Sequence, residues 1–167
     1  MFCWRITKYD PKNRDNGIYL KDEWTDYSDI GKIFDGKILK EDEYLKTEGA
    51  YINAVLLFME CLNVNELKIV SLEYMGKRPQ CVEVDKITIA NNALYHRDII
   101  VFIIQSILRN KLWCKLELDH TMYVHFGWDY YMYIGSAKAC PSAIKKIEEI
   151  GLFVEPFVSP YLEEEDE

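Results

Sequence analysis

Apolar and polar positions alternate along residues 2–9, and the run is rich in β-formers, which predicts a first strand. Breakers from Asp10-Pro11 to Asn16-Gly17 predict a polar turn region. Residues 18–29 mix aromatic and acidic side chains and predict a second extended piece or a shaped loop. Asp35-Gly36 suits a tight turn between short strands around Ile33 and Ile38. From Glu41 the period changes. Tyr44, Tyr51, Val55, Phe58 and Leu62 fall at helical spacing, with Leu45, Ile52, Leu56 and Met59 beside them, so a largely buried helix is expected over residues 41–63. Its acidic start, Glu41, Asp42 and Glu43, suits the positive end of the helix dipole. Gly49 within it suggests close approach of another element.

Alternation resumes over 67–74, and 82–89 reads as a further strand. Asn91-Asn92 offers an N-cap for a second helix with the core stripe Ile99, Ile100, Ile103, Ile104, Ile107 and Leu108. Runs at 112–118, 121–126 and 129–134 are joined by short reversals at Asp119-His120 and Gly127-Trp128, the pattern of an antiparallel meander. Pro141 opens a third helix that ends near Gly151, and residues 152–158 suit a last strand. The expected fold is α+β, a single domain over residues 1–160 with a mostly antiparallel sheet packed with about three helices.

Charge alters this picture at one end. The net charge is −8, five units of it from Glu163 to Glu167, which leaves −3 for the first 162 residues. Residues 161–167 are therefore expected to be a disordered acidic tail. An acidic chain is repelled by phosphate and by anionic lipid, so neither direct nucleic-acid binding nor a membrane surface is expected. The longest apolar run, residues 54–59, is far shorter than a spanning helix. The five cysteines show no CxxC pair. Cys61 and Cys114 read as small core hydrophobes, and the expectation is a reduced, cytoplasmic protein.

Candidate chemistry is thin. No nucleophile elbow, phosphate loop, dinucleotide fingerprint or EF-hand is present, and no cofactor is expected. Cys114, His120 and His125 are three singletons across a hairpin, a poor zinc pattern, so no metal site is expected. His125 with Asp129 or a nearby Tyr is the arrangement a small enzyme would use. Protein binding fits better, because Tyr and Trp supply interface hot spots and the chain is 14% aromatic with twelve Tyr. Two segments set aromatics beside acids, residues 22–29 and 128–131, and an acidic rim would steer a basic partner.

The opening Trp4-Arg5-Ile6-Thr7-Lys8-Tyr9 and the run from Glu23-Trp24-Thr25-Asp26-Tyr27 to Lys32 resemble a group of small bacterial immunity proteins. These accompany polymorphic and contact-dependent growth inhibition toxins. Glu43-Tyr44 and the run from Phe126-Gly127-Trp128-Asp129 to Tyr133 are also similar to that group. The resemblance implies a non-enzymatic antitoxin that binds a cognate toxin domain, typically a basic nuclease, and blocks its active site. Asp22, Glu23, Asp26, Tyr27, Asp29 and Asp129 are the expected partner-binding residues, with Trp24 as a core anchor. An unrelated adaptor domain and a small enzyme using His125 are the alternatives.

Overall fold

The computed structural model of the chain describes residues 1–162. In chain order the elements are β1 Phe2–Thr7, β2 Arg14–Asp15, β3 Ile18–Tyr19, β4 Ile33–Phe34, β5 Lys37–Ile38, α1 Glu41–Cys61, β6 Glu66–Glu73, β7 Cys81–Val84, β8 Ile87–Ala90 and β9 Leu94–His96. They continue with α2 Arg97–Leu108, β10 Trp113–Leu118, β11 Met122–Phe126, β12 Tyr131–Ser136, α3 Pro141–Glu149 and β13 Phe153–Pro156. Seven strands form one antiparallel sheet in the order β13-β1-β12-β11-β10-β6-β9. The architecture is α+β, as the alternating and helical periods predict.

One sheet face carries Ile6, Met132, Ile134, Val124, Phe126, Leu116, Leu67 and Ile69, all at most 2% exposed. They join one core with Tyr44, Tyr51, Val55 and Phe58 of α1 and Ile100, Ile103 and Ile104 of α2. The opposite face carries Arg5, Tyr123, His125, Tyr133, Lys115 and Glu117, matched across the strands by register. Residues 157–162 lie over that face. The Ser159 hydroxyl meets His125, the Lys115 ammonium donates to the Tyr161 carbonyl, and the Tyr161 ring contacts Trp113 and Tyr133. Tyr161, expected in the disordered tail, is thus docked on the sheet. Glu163 to Glu167 lie outside the described residues.

Hairpins β2–β3, β4–β5 and β7–β8 turn on residue pairs that both have positive φ, namely Asn16-Gly17, Asp35-Gly36 and Asp85-Lys86. That conformation matches strand twist and favours Asn, Asp and Gly. The third pair divides what alternation predicts as one strand over 82–89 into β7 and β8. The second helix also departs from expectation. Asn91 and Asn92 do not cap it; the Asn91 amide oxygen accepts from the Leu72 backbone, β9 intervenes, and α2 starts at Arg97. An extra residue in β6, near Ser71 at φ 55, bulges the strand against β10.

The cysteine expectation is corrected. Cys61, half-buried at the end of α1, forms a disulfide with Cys140, whose Cα lies 6.0 Å away although 79 residues separate them in sequence. Nothing in local spacing signals such a pair; the chain crosses the sheet before α3 returns beside α1. Cys114 is a fully buried core residue as expected, and burial pushes its thiol up.

Gly49 is not a point of close approach, because a Cβ there would meet nothing within 4 Å. Gly135 is such a point: the Tyr123 ring lies where its Cβ would be. Gly49→Ala is expected to stabilise the protein by about 0.5–1 kcal/mol. Gly135→Ala should destabilise it by about 1–3 kcal/mol through overpacking. Urea titration of both variants checks the opposite signs.

Candidate functional site

The turn between β11 and β12 has an unusual backbone. Asp129 and Tyr130, neither of them glycine, both sit in the left-handed region, at φ 60 and 68. Such residues cost free energy and persist only where surroundings over-determine them. The surroundings here are buried tyrosines. The Tyr9 hydroxyl donates to the Asp129 carbonyl at 2.6 Å, and the Tyr51 hydroxyl donates to the Tyr130 carbonyl at 2.6 Å while accepting from the Lys8 backbone at 2.8 Å. Burial pushes both phenols far above their ordinary range, so both remain donors.

The Tyr130 side chain is tied inward as well. Its hydroxyl donates to the Tyr44 oxygen at 2.6 Å, and Tyr44 donates to Glu48 at 2.8 Å. Glu48 is 2% exposed, yet it also accepts two bonds from Arg109 at 2.8 Å each and one from Gln105 at 3.1 Å. Burial alone would push this carboxyl up. The bonds from Arg109, Tyr44 and Gln105 outweigh it and hold the group below the usual carboxylate range.

With its neighbours locked, Trp128 is 84% exposed, the most exposed large hydrophobic residue among those described. It lines two clefts that share Ile107, Asn110 and Gly127. The first, about 470 Å³, is lined by Thr25, Asp26, Asn110 and Asp129, and its only charged groups are those two carboxylates. The second, about 430 Å³, is lined by Met75, Leu112, Trp113 and Tyr161, with Arg78 paired to Glu73 at 3.2 Å and Lys111 paired to Asp85 at 2.7 Å at its rim. Met75, in the turn after β6, is 83% exposed.

The acids singled out in the sequence divide by what holds them. Asp26 caps a short 3-10 helix, Tyr27–Asp29, and Asp29 completes the capping box from its other end. Hydrogen bonds from Ser28 and Asn110 overcome the upward push of burial and keep Asp26 ionised. Asp29 pairs with Lys32 at 3.0 Å. Asp22 accepts from the Asp35 backbone, pinning the β4–β5 turn. Glu23 pairs with Lys8 at 2.8 Å and accepts from Tyr19. Lys8 in turn lies over the Trp24 ring at 4.1 Å, and Trp24 is 8% exposed, the expected core anchor. Tyr27 is at the surface, its ring against Tyr44 at 5.0 Å and under the Arg109 guanidinium at 5.2 Å. Of the six, Asp26 and Asp129 line the first cleft and none lines the second. Met75, Asn110 and Trp113 carry no sequence signal for the site, since only folding brings them beside Trp128.

His125 does not pair with Asp129. Its Nε2 meets Glu117 and its Nδ1 meets Ser159, each at 2.8 Å. The hydrogen bond to His125 is the main reason the Glu117 carboxyl lies below its ordinary range. Serine, histidine and carboxylate stand in line, with His125 fully buried and Ser159 3% exposed. The trio fastens residues 157–162 to the sheet. Cys114, His120 and His125 do not converge, and no metal-binding cluster exists among the described residues. No helix among them is long and apolar enough to cross a membrane. Comparison with protein-family models, curated proteins and solved structures returns no match to the chain.

Glu48→Gln should remove the charge-assisted bonds from Arg109 and cost about 3 kcal/mol at neutral pH. Because the Glu48 carboxyl is held below its ordinary value, its contribution is complete above that value and is lost as pH falls through the folded one. Denaturation from pH 7 to pH 3 should therefore show a smaller acid-dependent loss in Glu48→Gln than in the parent. Tyr51→Phe should cost about 1–3 kcal/mol by leaving a buried carbonyl and a backbone N–H unpaired. It should also raise Trp128 side-chain mobility in relaxation measurements.

Proposed function

We propose that this chain is an immunity protein that binds a cognate toxin domain and blocks it, using the surface around Trp128. The observation that carries this reading is a tryptophan held 84% exposed by a strained, tyrosine-clamped turn, with a cleft on either side. Exposing an indole sacrifices roughly 2 kcal/mol of hydrophobic stabilisation. Two left-handed residues add to that cost. A solitary exposed tryptophan needs no explanation. One set between two clefts on a turn fixed by buried hydroxyls matches the anchor geometry of protein interfaces, where Trp, Tyr and Met are enriched.

Charge supports a partner that is basic where it meets the first cleft, because Asp26 and Asp129 face that cleft without a cation among its lining residues. The resemblance to immunity proteins, carried by the residue runs around Trp24 and Trp128, supports assigning that partner as a toxin domain, with a basic nuclease as the first candidate. Asp22, Glu23 and Asp29 serve this reading indirectly, by shaping the segment that positions Asp26 and Tyr27.

Co-expression with the toxin domain encoded beside this chain should restore growth, and the two should co-elute in gel filtration. Trp128→Ala should weaken the complex by about 2 kcal/mol or more, roughly 30-fold, with unchanged thermal stability. Asp129→Asn should mainly slow association at low salt. Absence of both rescue and complex would overturn the assignment, and a complex indifferent to Trp128→Ala would overturn the surface.

A further inference from the structure

The Cys61–Cys140 bond joins the end of α1 to the residue before α3, a nine-residue helix that packs on α1. The nine residues of α3 bury only Ala143 and Ile147, and its contacts are with α1 and β13. On its outer side the α1–α3 interface is open, with a groove of about 410 Å³ between Leu56, Leu57 and Glu60 on one helix and Lys146 and Glu149 on the other, closed by Ile150 just past its end. The N-terminus of α3 has no side-chain cap, and Cys140 reaches it in the left-handed conformation, φ 48. The helix is therefore short, with a narrow buried face, and Pro141 at its first position is not joined by a side-chain cap. Its placement rests on packing against α1, on its flanking strands, β12 and β13, and on the disulfide.

We propose that this disulfide is a reversible redox clasp on α3. When it is closed, α3 stays on α1; when it is reduced, residues 138–151 open as a local unit while the sheet and the Trp128 turn remain folded. The two sulfurs are unequal in a way that favours reversal. Cys61 is half-buried and can be approached, whereas Cys140 is 3% exposed and sits at a helix N-terminus, where the dipole favours a departing thiolate. A thiolate of an external dithiol reductant attacks the Cys61 sulfur, the bond breaks, and Cys140 leaves as thiolate and takes up a proton. The second sulfur of the reductant then displaces Cys61. Two electrons have passed to the protein, and the dithiol has become a disulfide.

Opening at this end leaves the other end intact for physical reasons. The β10–β12 strands lie in the middle of the sheet, and the turn after β11 is tied to α1 and β1 by Tyr51, Tyr44 and Tyr9 rather than to α3. Local units of this kind open at far lower cost than the whole domain.

Hydrogen exchange of the full chain, followed by mass spectrometry before and after dithiothreitol, tests the clasp. Alkylation of the unfolded protein should show three thiols before reduction and five after it. Amides of residues 138–151 should exchange at least ~10-fold faster once reduced, with β10, β11 and β12 unchanged. The double variant Cys61→Ser, Cys140→Ser should show the fast pattern without reductant, and Cys3→Ser should keep the slow one. Unchanged exchange in α3 after complete reduction overturns the proposal. So does loss of protection across the whole sheet in the same step, or five thiols in protein purified without reductant.

Discussion

A buried carboxylate organises the end of the molecule that carries the candidate site. Glu48 leaves water on α1 and would be costly there without compensation. It is compensated by a fork from Arg109 just beyond α2, by Gln105 within α2, and by Tyr44 one turn earlier on its own helix. Those bonds fix how the two helices meet. They also orient the Tyr44 hydroxyl, which leaves its oxygen to accept from Tyr130. The register of a helix pair is in this way passed through two phenols to the backbone of a surface turn. Removing the charge would disturb helix packing and loop geometry together, because the same oxygens serve both.

Much of the architecture is legible in hydrophobic period alone. The helical stripe from Tyr44 to Met59, the meander from Trp113 to Ser136 and the helix opened by Pro141 all follow patterns that local sequence states directly. The misreadings share a cause. Residues 82–89 alternate as one strand would, but Asp85-Lys86 bends them into a hairpin, and Lys is a residue for which positive φ is not expected. Asn91 has the side chain of a helix cap and spends it on the Leu72 backbone across space. Cys61 has the neighbours of a core residue and a partner 79 positions away. In each case the local options are close in energy and the pattern does not show what decides: a left-handed Lys86 in the first, a contact distant in sequence in the other two.

The acidic-aromatic segment at 22–29 illustrates the same ambiguity in functional terms. Asp26 and Asp29 stand three residues apart because that spacing closes a capping box, and Asp22 and Glu23 are each engaged by a neighbouring donor. A pattern that reads as a binding motif is, in large part, the chemistry that holds an irregular segment in shape. Its functional content lies in what the shaped segment delivers: Asp26 at the lining of the first cleft, and the Tyr27 ring, at the surface, against Tyr44. By contrast, Trp128 is marked in the sequence by its place in the 128–131 aromatic-acidic segment and after Gly127 in a reversal, neither of which foretells its exposure. Its exposure follows from Asp129 and Tyr130 adopting left-handed backbone, which no composition rule anticipates.

Rigidity at one end and weakness at the other have different consequences for recognition. Association must offset the ordering of whatever side chains and loops the interface immobilises. A turn already fixed by three buried phenols has little left to lose, so contacts made by Trp128 convert into affinity with a small entropic penalty. The α3 end has the opposite balance: two buried side chains, an open groove and one covalent tie. Stability is thus concentrated where a partner would press, and the element most easily released is one that the Trp128 turn does not lean on. A partner bound at Trp128 would therefore sense the redox state of Cys61 and Cys140 weakly. Coupling between the two ends has two routes: along β12, which runs from the Trp128 turn toward α3 through the middle of the sheet, and through α1, whose buried face is anchored at Glu48.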